Sequence, residues 1–565
     1  MKVLIIGGYG VFGGRLARLL RDERRIRLII AGRSLSKAQA FCLASLPGAS
    51  CEAAVFDRDG DLDAQLRAIA PDIVVDASGP FQAYGPDGHR VVRAAIELGI
   101  NYLDLADGAD FVDEVSRFDM EARAAGVFVL SGVSSFPVLT AAVVRALSRD
   151  MDAITSIEGG IAPSPYAGVG ENVIRAIAAY SGKAVKLRRA GRDTTGFAMA
   201  ESRRYVIRPP GEVPLPSLRF SLVDVPDLRI LPKLWPGLQD VWMGAGPVPE
   251  ILHRALNGLA LLVRWGVVPS LRPLSGLFHK AINILRWGDH RGGMYVSAEG
   301  LRGTSPVTQS WHMIAEGDDG PLIPSMAAEA LIRRALAGHP PAPGARAATN
   351  ELELADYERL FAGRAIVTGR REDRPGEAAE TPGAQPLYRH VLGEAYDRLP
   401  ATVRALHDAP VSVEGMATVE RGSNPLGGLV ADLFGFPKAG RVPVRVDFER
   451  TSDGGEIWRR TFDGRAFESR QCEGRGRWEG LIRESFGPVT VGLALLVRDG
   501  RLELVVRRWS VLGVVMPRRW GPLGPAYETD EDGVFAFTVT MAHPWLGVLV
   551  SYRGRLVAAT GTRTL

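Results

Sequence analysis

The stretch Val3-Leu4-Ile5-Ile6-Gly7-Gly8-Tyr9-Gly10-Val11-Phe12-Gly13-Gly14, followed by the helical spacing of Leu16, Leu19 and Leu20, decides how the first part of the chain folds. Its order is an apolar run, a glycine turn and an amphipathic segment. A G-x-G-x-x-G match carries little information alone, but Gly8, Gly10 and Gly13 fall where a strand gives way to a helix, which is the context the motif requires. Gly8 allows the tight turn, Gly10 lets backbone approach a pyrophosphate, and Gly13 lets the helix pack on the strand, with Tyr9, Val11 and Phe12 completing the loop. The unpaired N–H groups and positive dipole of the helix N-terminus then face the phosphates. The competing reading is a glycine-rich turn that holds no ligand.

A second apolar strand, Ile26 to Ala31, ends in Gly32-Arg33-Ser34. NAD-binding proteins place at this distance the acid that accepts from the ribose 2′-hydroxyl. Here the position carries Arg33, whose guanidinium cannot accept a hydrogen bond but pairs with a phosphate, and Ser34 and Lys37 add donors beside it. The residues therefore favour NADP over NAD, against the alternative of a solvated surface charge.

The following segments repeat the pattern: a helix over Ser36–Leu46, a short strand ending at Asp57, a helix over Asp61–Ile69, and a strand Pro71–Asp76 that turns at Ala77-Ser78-Gly79-Pro80-Phe81. Alternating strands and helices predict a parallel sheet with right-handed crossovers. Ligands of such sheets bind beyond the strand carboxyl ends, so Asp57, Ala77, Ser78, Gly79 and Pro80 should line the crevice. Further predicted elements are a helix over Gly88–Leu98, the stretch Asn101 to Asp107, a helix over Asp110–Ala125 and a strand Val127–Leu130 leading to Ser134 and Ser135.

Gly8-Tyr9-Gly10-Val11-Phe12-Gly13, Ala31-Gly32-Arg33-Ser34, Val75-Asp76-Ala77-Ser78-Gly79-Pro80-Phe81, Tyr84-Gly85 and Tyr102-Leu103-Asp104-Leu105, taken in that order, resemble the NADP-binding domain of the saccharopine dehydrogenase family. The resemblance covers about the first 145 residues well and the region to about 370 loosely. It implies a Rossmann-like domain, NADP and hydride chemistry on a substrate other than saccharopine, such as a lipid-like molecule. The chain departs from the family in having Ala106-Asp107-Gly108 where Gly-Glu often follows the Tyr-x-Asp-Leu motif.

Length and 46% hydrophobic content suit several buried cores, and 68 basic against 64 acidic residues leave a net charge of +4, too balanced for a nucleic-acid footprint. Cys42, Cys51 and Cys472 are scattered, without a C-x-x-C pair, which argues against a disulfide framework and a zinc site and fits a reducing cytoplasm. No metal is expected.

The expected organisation is an α/β protein: an NADP-binding Rossmann domain over 1–150, an α+β substrate or dimerisation domain over 151–369, a Pro/Gly-rich linker over 370–386, and a β-rich, barrel-like C-terminal domain with helices over 387–565. Asp152 to Ile161, Met294 to Leu301 and Val307 to Ala315 read as strands, and Pro324 to Ala337 as a helix. In the last part, Asp499-Gly500 is a strong hairpin signal, and Arg553-Gly554 reads as a join between Leu546–Tyr552 and Leu556-Val557. Such a meander must close into a barrel or be covered by helices. This part resembles a bacterial family of unknown function found behind saccharopine-dehydrogenase-like domains, on Leu387-Tyr388-Arg389, Leu399-Pro400, His407 and His543-Pro544-Trp545-Leu546-Gly547. An apolar barrel interior is a possible lipid or isoprenoid site.

Leu252 to Trp287 is apolar but broken by Arg254, Arg264, Pro269, Arg272, Pro273, Lys280 and Arg286, so no run reaches the ~18 residues of a spanning helix. Its options are peripheral contact with a bilayer, a lid over an apolar substrate, or packing on the core or on the partner of a homodimer.

A nicotinamide enzyme leaves hydride transfer to the cofactor and contributes positioning and one proton-exchanging group. Tyr102 is the candidate donor, with Asp107, Ser134 and Ser135 near the crevice, although Asp107 can equally serve as a helix cap. The expected function is an NADP-dependent oxidoreductase acting on an apolar small molecule. The alternative is a dinucleotide-binding sensor or scaffold without catalysis.

Overall fold

Strand β1 (Lys2–Ile6) is buried from Val3 onward, and its apolar residues need cover on both faces of the sheet. It leads through the glycine turn into α1 (Val11–Leu20), then β2 (Arg27–Gly32), α2 (Leu35–Ser45), β3 (Cys51–Val55), α3 (Leu62–Ile69), β4 (Ile73–Asp76), α4 (Arg90–Glu97), β5 (Asn101–Asp104), α5 (Ala109–Glu114), α6 (Asp119–Ala124), β6 (Phe128–Ser131) and α7 (Thr140–Leu147). This computed structural model describes residues 1–559 apart from 86, 248, 287 and 374–384. The six strands lie in the order β3-β2-β1-β4-β5-β6, all parallel. The order reverses between β1 and β4, where a crevice opens at the strand carboxyl ends. The single helix expected over Asp110–Ala125 is broken by a 3₁₀ turn at Val115–Phe118.

The chain continues as β7 (Ala153–Ala162), α8 (Glu171–Tyr180), the hairpin β8 (Ala184–Arg189) and β9 (Arg192–Phe197), β10 (Ser202–Tyr205), β11 (Leu218–Leu222), α9 (Asp227–Leu234), β12 (Asp240–Ala245), α10 (Glu250–Arg264), α11 (Ser275–Ile284), β13 (Gly292–Arg302), β14 (Ser305–Ala315), α12 (Ile323–Leu336), β15 (Gly344–Ala347), α13 (Leu354–Phe361) and β16 (Ile366–Asp373). A second seven-stranded sheet has the order β10-β11-β12-β7-β13-β14-β16, and β15 returns to the first sheet as a parallel seventh strand beside β6. The long antiparallel pair expected near 294–315 is β13–β14. Helix α12 packs on α1, with Ser325 Oγ donating to Phe12 O at 3.1 Å and Arg333 to Leu19 O at 2.8 Å. These elements form one unit, Met1–Tyr205 with Leu218–Val367.

The other unit is Val206–Ser217 with Thr368–Leu565. It contains α14 (Leu387–Leu392), α15 (Ala401–Asp408), β17 (Val411–Arg421), α16 (Pro425–Leu433), β18 (Gly440–Arg450), β19 (Glu456–Phe462), β20 (Arg465–Glu473), β21 (Ile482–Phe486), β22 (Val489–Arg498), β23 (Arg501–Val511), β24 (Val514–Val515), β25 (Ala526–Glu531), β26 (Val534–His543) and β27 (Gly547–Ala558). Ten antiparallel strands run β22-β21-β20-β19-β18-β17-β27-β26-β25-β23, and β22 pairs with β23 to close a barrel, with β24 appended. Asp499-Gly500 turns with φ of 49° and 72°, as the dipeptide's tolerance of left-handed backbone allows.

Four sequence expectations need correction. Arg553-Gly554 is no join, because β27 runs unbroken through it; a Cβ at Gly554 would stand 2.5 Å from Met416 O, so the glycine marks close strand approach. Of the linker expected over 370–386, Arg370–Asp373 belong to β16 and 374–384 lie outside the described residues. Residues 206–217 sit with the barrel unit, where Gly211 O accepts from Val497 N (3.0 Å) and Glu212 from Arg498 (2.9 Å). Cys42 and Cys51 are joined in a disulfide, brought together because α2 folds back on β3.

Candidate functional site

The glycines are required by space as well as by turn geometry. A Cβ at Gly13 would lie 2.4 Å from Gly7 O, at Gly8 2.8 Å from Ile5 O, and at Gly10 2.9 Å from Gly7 O. Gly7 itself has φ +75° and sits against the backbone of Ala77. Gly8 and Gly13 are buried where helix meets strand, while Gly10 and Val11 stand exposed at the loop tip and Phe12 is half-buried. Helix α1 has no side-chain cap and no acid in its first turn. Its free N–H groups and bare backbone form a cradle suited to an anion.

At the end of β2, Tyr9 lies over Gly32, and its hydroxyl accepts from Ser34 N at 3.2 Å, tying the glycine loop to the second strand. Ser34 caps α2 through Lys37 N. Arg33 and Lys37 are exposed, and among the described residues the Arg33 guanidinium has no hydrogen bond or ion pair. That free fork is what a ribose phosphate would meet. Asp57 is also exposed, its carboxylate accepting from Asp59 N at 3.1 Å.

Across the crevice, Asp76 at the end of β4 is buried and pairs with Arg58. Ser78 N donates to Asp76 at 3.0 Å, and the Ser78 hydroxyl meets Tyr84 OH at 2.8 Å. The Arg58 guanidinium lies 3.5 Å from the centre of the Tyr84 ring. Asn172, on α8, donates to Ser78 O and Gly79 O at 3.4 and 3.1 Å, and Gly170 packs on Val11. Arg15 in turn holds Ala167 O at 2.7 Å. The entry to α8 thus roofs the glycine loop, and the helix passes over Ala77, Ser78, Gly79 and Pro80, all half-buried.

The parallel register puts Asp104 beside Asp76. One oxygen of Asp104 accepts from Ala106 N, Ser131 Oγ and Gly132 N at 3.0, 3.0 and 2.8 Å, whereas the other has no partner. Burial pushes this carboxyl up to about 7. Tyr102, two residues earlier on the same face, is fully buried in the sheet core among Val74, Val91 and Val129. Its hydroxyl has no partner, and burial with the neighbouring carboxylates holds it protonated. The expectation of Tyr102 as a crevice donor is corrected: strand alternation turns it inward.

Asp107 does not cap α5, whose N-cap is Gly108; it accepts from Gln82 Nε2 at 3.1 Å, and burial raises its carboxyl. Two residues missed by the sequence reading join it. Asp224 is raised to about 6 by burial, with the Asp110 and Asp107 charges adding to it. The Tyr180 phenol, at the far end of α8, is raised by burial and by Asp107 and Asp224. Asp227, fully buried near Thr140, is pushed to about 7 by burial. Neither Ser134, half-buried, nor Ser135, buried, has a hydroxyl partner among the described residues. His89 is structural: Nε2 meets Phe111 O at 3.0 Å, Arg117 approaches Nδ1, and the ring stacks on Phe111. Among the described residues no group of acids, histidines and cysteines is arranged to hold a metal.

Family models match both parts of the chain. Residues 3–130 match the saccharopine dehydrogenase NADP binding domain, and residues 399–556 match a domain of unknown function, DUF4166. Saccharopine dehydrogenase (L-Glu forming) from Saccharomyces cerevisiae is 15% identical over 66% of this chain and 99% of its own, with a TM-score of 0.47. Biliverdin reductase from Synechocystis, solved with biliverdin and NADP+, is 12% identical over 60% of this chain and 92% of its own, with a TM-score of 0.28. No curated protein matches the chain. The protein thus carries a saccharopine dehydrogenase NADP binding domain, built around a nicotinamide dinucleotide site, at its N-terminal end and a DUF4166 barrel at its C-terminal end.

Proposed function

We propose that the chain is an NADP-dependent oxidoreductase acting on an apolar, lipid-like substrate. The coarser part of this reading, a dinucleotide-dependent oxidoreductase, rests on the family match and on the cradle between β1 and α1. The single observation that carries the choice of NADP is Arg33, exposed at the end of β2 with no internal partner among the described residues and with Ser34 and Lys37 beside it. When bound, the dinucleotide supplies or accepts the hydride.

The chain's own residues have to bind, orient and exchange a proton. Gly8, Gly10, Gly13 and the α1 N-terminus would hold the pyrophosphate, and Ser78, Gly79 and Asn172 border the crevice on the β4 side. We assign proton exchange to Asp224 and Asp107 with Tyr180, because half-buried acids raised toward neutrality match the work of a general acid or base. The apolar substrate is supported by α11, which packs on α8, and by α10, which meets Gly182 just beyond it; the two leave Ile251, Trp265, Leu277 and Ile284 more than 60% exposed. No described helix is long and apolar enough to cross a membrane.

Titration of NADPH and NADH by protein fluorescence tests the reading. The wild type should prefer NADPH by about tenfold or more, one lost charge-assisted pair costing on the order of 1.5–3 kcal/mol. Arg33→Asp should reverse the preference. Unchanged relative affinities in that variant would remove Arg33 from the site, and no binding of either nucleotide by the wild type would overturn the function.

A further inference from the structure

The barrel is hollow. Its interior contains a cavity of about 280 Å³ whose wall is almost wholly apolar, including Leu493, Val506, Phe535, Phe537 and Leu549. Helices stand at both of its ends. Helices α14 and α15 precede the start of β17, and α16 follows the end of the same strand, so the two caps stand at opposite ends of the cylinder. Tyr388 and Leu406 reach the cavity from the first cap, and Val430 and Phe434 from the second.

The charged groups of the lining are already paired. Tyr388 donates to Gln471 at 2.9 Å, and the two belong to the cap and to β20. Arg460 donates to Ser469 at 2.8 Å and to Glu484 at 3.4 Å, and Ser469 donates to Glu484 at 2.7 Å. His407, fully buried, meets Glu528 at 2.6 Å. Each buried charge therefore has a partner of opposite sign or a hydrogen-bonding neighbour, and the side chains of Arg460 and Glu484 are only 15% and 8% exposed. A ligand carboxylate entering this space would have to displace Glu484 from Arg460, leaving one carboxylate buried and unpaired, which is costly. A hydroxyl, carbonyl or ester needs only a hydrogen bond, which Tyr388, Gln471 or Arg460 can share.

Helix α16 covers one end of the barrel with apolar residues on both of its sides. Its inner side offers Val430 and Phe434 to the cavity, and Gly427 packs where a Cβ would stand 2.9 Å from Leu546 O. Its outer side leaves Leu426, Leu429 and Leu433 exposed by 64%, 68% and 84%. A helix apolar on both sides pays little to part from the barrel when its inner face meets an apolar molecule.

We propose that the C-terminal barrel binds one lipid-class molecule with an uncharged polar end, admitted under α16 and held with its apolar body against the barrel wall. This site is separate from the dinucleotide reading and stands or falls without it.

The test uses retinol and retinoic acid, which share one apolar body and differ in carrying an alcohol or a carboxylate. Both absorb where indole emits, and Trp458 and Trp509 line the cavity, so binding to the full-length protein reads as quenching of tryptophan emission. Retinol should saturate at one per chain and bind about tenfold or more tighter than retinoic acid. Val430→Trp, which fills the cavity from the cover, should weaken retinol by a similar factor with circular dichroism unchanged. Glu484→Gln, which frees Arg460, should reverse the ranking; if that variant unfolds, the wild-type ranking and Val430→Trp still decide. No saturable quenching by retinol, a wild-type preference for the acid, or full retinol affinity in a folded Val430→Trp would each overturn the proposal.

Discussion

Asp104 is held at the end of β5 by three donors that all meet one of its oxygens, while the other oxygen is buried without a partner. Such a carboxyl is comfortable only when protonated. Its folded value, about 7, lies above the ordinary carboxylate range. The stability it contributes is therefore complete at acid pH below that range and is lost as pH rises through about 7. Asp227 at about 7 and Asp224 at about 6 act in the same direction. The melting temperature of the N-terminal unit should fall between pH 5 and pH 8, and Asp104→Asn, which keeps the accepting oxygen, should flatten that slope. At pH 8 the variant should be more stable by on the order of a few kcal/mol, since one pKa unit is worth about 1.4 kcal/mol. Parallel pH curves for the two proteins would refute the assignment. Residues of this kind were closed to sequence reading, because Asp104 and Ser131, or Tyr180 and Asp224, meet only after distant elements pack. Arg33 and the glycines were legible because their role follows from position along one strand, turn and helix.

At the scale of elements, the glycine turn separates two demands. Gly13 meets backbone at 2.4 Å, so an added methyl must push α1 away from β1, whereas Gly10 is exposed and meets Gly7 O at 2.9 Å. Gly13→Ala should lower stability by about 1–3 kcal/mol, as overpacking of a fixed interface does. Gly10→Val should lower melting less than Gly13→Ala, because the loop tip is exposed and can shift from Gly7 O, and should abolish dinucleotide binding by blocking backbone approach. Thermal melts and fluorescence titration of both variants check this; a stable Gly13→Ala protein, or full nucleotide affinity in Gly10→Val, would contradict it. The strand and helix order of the first sheet was readable because each element carries its own period and its own turn. The break in the helix after Asp110 was not, since Val115 and Phe118 keep an apolar spacing across the 3₁₀ turn. Nor was the continuity of β27, where Gly554 carries the composition of a turn but the extended backbone of a strand.

At the scale of the whole molecule, the sequence predicts a C-terminal domain that starts after a linker, and the structure adds a piece from far upstream. Residues 206–217 give the barrel unit the acceptor Gly211 O for Val497 N, Glu212 for Arg498 and Pro210 O for Arg398. No local pattern announces this, because the segment is short, rich in proline and without periodicity. A fragment spanning 387–565 should consequently melt below the barrel transition of the intact chain, by about 1 kcal/mol for each lost hydrogen bond. Adding a synthetic peptide of residues 206–217 should restore part of the loss. A fragment as stable as the parent, and indifferent to the peptide, would show that these contacts contribute nothing.

The pairing of β22 with β23 closes the cylinder, whose thinnest junction is β23 against β25, joined at Leu502–Glu528 and Glu503–Tyr527. A sheet with two free edges can peel from either one, but in a ring each strand has a neighbour on both sides. Under the proposed binding, the nine residues of α16, seated on Leu546 by the missing side chain of Gly427, are the latch of the device: the wall sets what fits, and the cover sets what enters.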